Sequence, residues 1–165
     1  MIEPTIFERY FIGQFFTMCE DQVAQVREVC AQACYPIAKS FSAHPELIGK
    51  FMERVRAFKQ SRKYTMRQTF ILMCESVTQS NDNDRDEFGK SKSELIFREH
   101  FLESFIELQS DKIVNVRLML SYTLANLFEK NEEMQEATDG SPDLPRSNSL
   151  GPLQKVYTNS VLCTD

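Results

Sequence analysis

The sequence predicts an all-α protein, a solenoid of about three helical hairpins followed by a disordered C-terminal tail. Three observations predict it. One pattern of apolar residues recurs in three copies, at spacings of 40 and 50 residues. Each copy sets a short polar residue six positions ahead of an Arg. Beyond Glu129 the pattern stops, and Pro, Gly and Ser take over.

The copies align on Arg27, Arg67 and Arg117, preceded by Val26, Met66 and Val116. Upstream, Phe7, Leu47 and Phe97 match, as do Phe11, Phe51 and Phe101. Ile12, Met52 and Leu102 follow in the same register, then Phe15, Val55 and Phe105. Downstream the register holds through Cys30, Phe70 and Leu120, then Cys34, Cys74 and Leu124, then Ile37, Val77 and Leu127. Steps of three and four residues put each set on one face of a helix. One hairpin cannot bury such a face alone, whereas stacked hairpins share a continuous core.

The first helices are predicted over about residues 4–19, 45–58 and 93–108, and the second over about 22–41, 61–79 and 112–130. Units therefore span about 4–41, 45–79 and 93–130 within a repeat domain of residues 1–130. Asp21, Ser61 and Asp111 stand where an N-cap would satisfy orphan amide hydrogens of each second helix. Pro45 suits the first turn of its helix, which needs no amide hydrogen. Pro36 is predicted to kink or shorten its helix. The polar stretch 80–91 reads as a loop insertion that accounts for the longer second spacing. Residues 131–165 hold too few large apolar side chains to offset the entropy of ordering, and are read as disordered.

Charge narrows the partners. Residues 1–130 carry 17 Lys and Arg against 18 Asp and Glu, and residues 131–165 carry 2 against 6. A near-neutral folded part argues against binding nucleic acid through clustered cations, so a protein partner is expected. No run of about 18 apolar residues occurs, which excludes a membrane-spanning helix. The N-terminus does not read as a signal peptide. Five cysteines, an odd number, fit reduced thiols in the cytoplasm or nucleus.

No catalytic constellation is apparent, and neither metal nor cofactor is expected. Cys30 and Cys34 share repeat positions with Phe70, Leu120, Cys74 and Leu124, so they read as core rather than metal ligands. His44 precedes Pro45 in a turn and His100 adjoins Phe101; neither has a catalytic neighbour. Asp82, Asp84, Asp86 and Glu87 lack the Gly and terminal Glu of a calcium loop. In the tail, Ser149 follows Arg146 by three residues, a pattern that kinases can use. Between Lys50 and Arg67 lie Arg54, Arg56, Lys59, Arg62 and Lys63 against Glu53 alone, a candidate docking patch for an acidic surface.

A period near 40 favours HEAT or armadillo units over the 34-residue tetratricopeptide unit. An Asp opening the second helix, with Val-Arg six residues on, resembles the HEAT-repeat family. That resemblance implies a ladder between adjacent repeats built from Asp21, Arg27, Arg67, Asp111 and Arg117, with Ser61 a weaker substitute. The Pro that the family carries eight residues before the Asp is replaced by Gly13, Glu53 and Glu103, which predicts straighter first helices. The segments Lys63-Tyr-Thr-Met-Arg-Gln-Thr-Phe70 and Asp111-Lys-Ile-Val-Asn-Val-Arg117 resemble HEAT-repeat regulatory and scaffold subunits of type 2A/4 Ser/Thr protein phosphatases. The resemblance implies a non-catalytic scaffold that grips a phosphatase catalytic subunit, with further regulatory subunits as partners. The gripping residues would lie on the intra-repeat turns: Glu20, Gln22 and Gln25; Lys59, Arg62, Lys63 and Tyr64; Lys112 and Asn115. An adaptor for transport or trafficking factors is the competing reading. The Phe7, Phe11 and Phe15 face is expected to need cover from a preceding repeat or a partner.

Overall fold

A computed structural model describes residues 3–80, 85–86 and 89–139 of the 165. By its contacts the chain divides into one unit of Met1–Glu132 and another of Glu133–Asp165. The described regular structure is helical, apart from a bridge between Arg85 and Ser91. In order come α1 (Pro4–Tyr10), α2 (Ile12–Cys19), α3 (Ala24–Gln32), α4 (Cys34–Phe41), α5 (Pro45–Gln60) and α6 (Tyr64–Thr78). Then follow α7 (Lys92–His100), α8 (Leu102–Glu107), a short 3-10 turn (Leu108–Ser110) and α9 (Val114–Asp139).

Helix starts follow local chemistry. Pro45 opens α5 behind His44, with Glu46 in the first turn facing the helix dipole favourably. Ser91 caps α7, its Oγ accepting from the amide of Glu94 at 3.2 Å. Asp21, Ser61 and Asp111 are not N-caps, contrary to expectation. The second helices begin three residues after each of them, with Val23 and Lys63 in the cap positions of α3 and α6. Their side-chain oxygens instead close tight turns, accepting from the amides of Val23 (2.7 Å), Lys63 (3.2 Å) and Ile113 (2.9 Å).

Pro36 acts through the carbonyl four residues behind it. It offers no amide hydrogen to Gln32, and its ring crowds that carbonyl, so the helix breaks at Ala33 and restarts as α4. Ser76 of α6 mends the break. Its Oγ accepts from the Tyr35 amide (3.1 Å) and donates to the Gln32 carbonyl (3.0 Å). One hydroxyl thus satisfies both backbone groups at the break.

The expected straight first helices are found only in α5. The other two break at Phe11 and Phe101, both near φ −115°. No Pro is involved. The bends accompany ring stacking: Phe7 on Phe11 at 5.6 Å, and Phe101 on both Phe97 (6.4 Å) and Phe70 (6.1 Å). No backbone-breaking residue announces either bend in the sequence.

The core runs along α6, which packs on α3, α4, α5 and α7. Phe70, Ile71, Met73, Cys74 and Val77 are all buried on it. On one side lies an aromatic cluster of Phe15, Phe16, Phe41, Phe51 and Phe58, with ring centroids 5.0–5.9 Å apart. On the other lie Phe70, Phe97, Phe101 and Phe105. Each such ring contributes about 1.5–3 kcal/mol when fully buried. The first unit's outer face is covered only in part within the chain itself. Phe15 is buried and Phe7 half-buried, while Phe11 is 46% exposed.

Helix α9 continues to Asp139, past residue 130 where the second helix was expected to end. Glu, Met, Gln and Ala in that stretch favour helix without needing an apolar stripe. Residues 140–165, including Ser149, lie outside the described residues, as do Asp82, Asp84 and Glu87.

Candidate functional site

The three turns expected to carry the function share one hydrogen-bonded design. Arg27, Arg67 and Arg117 each donate from Nη1 to the carbonyl of the residue six positions back. The distances are 2.7 Å to Asp21, 2.8 Å to Ser61 and 2.5 Å to Asp111. Arg27 also reaches the Gln22 carbonyl (2.9 Å), and Arg67 the Arg62 carbonyl (3.2 Å). The six-residue spacing thus places a cation under each turn. It satisfies carbonyls that the chain reversal would otherwise leave unmatched.

The rest of each guanidinium depends on what faces it. Arg67 meets Asp111 in a two-pronged pair, Nε to Oδ2 at 2.5 Å and Nη2 to Oδ1 at 2.9 Å. The hydrogen bond from Arg67 holds the Asp111 carboxyl below the usual carboxylate range, against the opposing effect of burial. It also raises the Arg67 guanidinium above its ordinary value. In the preceding unit the matching position is Ser61, which has no carboxylate to offer Arg27. Asp21 and Arg117 stand in the first and third turns. Each has the contacts within its own turn just described, and neither has a cross-helix ion pair among the described residues.

The residues expected to grip a partner lie mostly at the surface. Glu20, Gln22, Gln25, Arg62, Lys63, Tyr64, Lys112 and Asn115 are exposed. Lys59 differs: it is half-buried and paired with Glu107 at the end of α8. Arg67 is likewise committed, which leaves Arg54, Arg62 and Lys63 as the cations of the Lys50–Arg67 stretch nearest the turn.

Those three surround a groove of about 430 Å³ floored by Ala57, Phe58 and Met66. The Arg54 guanidinium lies over the Phe16 ring, 4.0 Å from its centroid, a cation–π contact. Glu20 stands at the rim as the acid of the lining. Sequence reasoning did not find this groove. Phe16 falls outside the three-copy register, where its counterparts are Arg56 and Ile106. The available signal was a second Phe beside Phe15 at the end of the first helix, one residue more than one apolar face requires.

Cys19, Cys34 and Cys74 are fully buried, and burial pushes the Cys19 thiol up to about 12 and raises those of Cys34 and Cys74 well above the ordinary thiol range. Cys30, read as core from sequence, is half-buried. Burial lowers His100 below the usual imidazole range. Among the described residues no group of three or more His, Cys, Asp or Glu side chains could hold a metal ion. No described helix is long and apolar enough to cross a membrane.

Fold and site together define an all-α protein whose thrice-repeated turn fastens two helices through an Arg and its upstream carbonyl. No family model matches the chain. Over 125 residues, 73% of its length, it is 26% identical to serine/threonine-protein phosphatase 4 regulatory subunit 1 of Homo sapiens. The identity and coverage are the same for the proteins of that name from Mus musculus and Rattus norvegicus. The chain spans 12% of the length of each of these relatives. The match supports a distant relation to a phosphatase regulatory subunit.

Proposed function

We propose that the chain is a non-catalytic scaffold in which HEAT-type hairpins stack as a solenoid. It holds the catalytic subunit of a Ser/Thr phosphatase of the 2A/4 class along its intra-repeat turns. The repeat domain covers residues 1–130, and Arg67 with Asp111 forms one rung of the ladder between units. The observation that carries this reading is the coincidence of two facts. The chain resembles a phosphatase 4 regulatory subunit over 73% of its length, and the same turn recurs three times with exposed polar side chains on it. Turns fastened from below and polar above suit a binding edge, since the fastening residues are not those that meet the partner. The phosphatase chemistry and its metals then belong to the partner.

Affinity purification of the full chain from cell extract tests the reading. Recovery of a type 2A or type 4 catalytic subunit, lost on reversing charge with Arg62→Glu and Lys63→Glu, is the expected result. Recovery of transport or trafficking factors without phosphatase would replace it with the adaptor reading.

A further inference from the structure

The groove between the ends of α2, α5 and the start of α6 has a mixed character that a solvated helix face lacks. Its floor is apolar, formed by Ala57 and the edges of Phe58 and Met66, with Phe16 beneath Arg54. Its rim carries Arg54, Arg62 and Lys63, all exposed. None of the three has a carboxylate partner among the described residues, whereas neighbouring Lys59 and Arg67 have one each. Glu20 offsets only one of the three charges. At about 430 Å³ the space lies within the range of ligand-sized clefts and admits a side chain or two.

We infer that this groove binds an extended acidic peptide, one apolar side chain seated against Ala57, Phe58 and Met66 and flanking carboxylates taken by Arg54, Arg62 and Lys63. Each part of the site has its task. The floor supplies desolvation of the anchor. The exposed cations supply orientation and a salt-dependent rate of encounter. Arg54, already laid over Phe16, presents its guanidinium edge to a carboxylate at little further cost in rotamer freedom. A peptide fits better than a nucleic-acid strand: three cations clustered around one apolar cleft do not form the basic track that follows a phosphate backbone. The inference rests on reading the turn ridge as a binding edge, and it specifies what that edge recognises.

Fluorescence anisotropy with the full chain tests it. The probe is a labelled synthetic peptide in which one Leu is flanked by short runs of Glu, compared with the same peptide carrying Gln for Glu. Saturable binding of the Glu peptide, weakened by salt and at least about tenfold weaker for the Gln peptide, is expected. Arg62→Glu with Lys63→Glu should weaken it by about tenfold or more with circular dichroism unchanged. Ala57→Trp, which fills the groove without altering charge, should do the same. Equal affinity for both peptides, indifference to both variants, absence of binding, or equal capture of a labelled single-stranded oligonucleotide would each overturn the inference. The assay contains no phosphatase, so its failure and the failure of the purification experiment are separate results.

Discussion

Arg67 on α6 and Asp111 in the turn before α9 are 44 residues apart in sequence yet share two parallel hydrogen bonds. A planar guanidinium matches a carboxylate in this way, and ammonium groups do not. Both side chains are largely shielded, 14% and 6% exposed, so removing one strands the other away from water. Asp111→Asn is expected to destabilise the chain by about 2–3 kcal/mol, read as a lower urea midpoint. Arg67→Lys should recover little of what Arg67→Ala loses.

That pair also fixes a pH dependence. Asp111 has a folded-state pKa below its unfolded value of about 3.9. Its contribution is therefore fully present above that value and is lost as pH falls through the depressed one. The stability difference between the wild type and Asp111→Asn should hold from neutrality to about pH 5 and shrink below about pH 4. Urea titrations across that range measure it. A difference that stayed constant down to the most acidic point would refute the ion pair as its source.

Ser61 occupies the place that Asp111 holds one unit later. Arg27 already donates to the carbonyls of Asp21 and Gln22 and has no carboxylate partner among the described residues. Ser61→Asp is expected to supply one, raising stability by about 0.5–1 kcal/mol and the melting temperature accordingly. In an Arg27→Gln background the gain should vanish. A gain of equal size there would mean that the new charge acts elsewhere.

Ser76 serves two backbone groups at the α3–α4 break, so its loss should exceed that of an ordinary surface hydroxyl. Ser76→Ala leaves the Gln32 carbonyl and the Tyr35 amide without that partner and should cost about 1–3 kcal/mol. Restoring a regular helix with Pro36→Ala should reduce the penalty of Ser76→Ala, because the carbonyl would regain an intrahelical donor. A double-mutant cycle on thermal unfolding decides between additivity and this coupling.

The three register-matched phenylalanines make a calibration of packing. Phe51 and Phe101 are 2% and 1% exposed, and truncation to Ala should cost about 3–5 kcal/mol at each. Phe11, exposed and stacked on Phe7, should cost about 1 kcal/mol or less. Equal losses at all three sites would contradict the structure.

Much of this was legible in the residues, and the rest failed for identifiable reasons. Phe51, Phe70, Val77 and Phe101 repeat a period, and periodicity follows from burying one helix face, so their place could be read directly. The fastening of Arg27, Arg67 and Arg117 was signalled by a fixed six-residue offset, although the side-chain oxygens of Asp21, Ser61 and Asp111 serve the turn rather than the helix start. What escaped depends on a single unrepeated residue meeting a distant one. Ser76 reaching Gln32 and Arg54 reaching Phe16 leave no periodic trace. The bends at Phe11 and Phe101 escaped because no Pro or Gly marks either position.

Because Arg27, Arg67 and Arg117 each clasp a carbonyl of their own turn, those loops hold their conformation before anything touches them. Whatever docks there meets a stiff edge, so little chain freedom is surrendered on contact. On the proposed scaffold reading, discrimination between rivals then falls to the few outward side chains, and exchanging these retargets the edge while the helices beneath stay as they are.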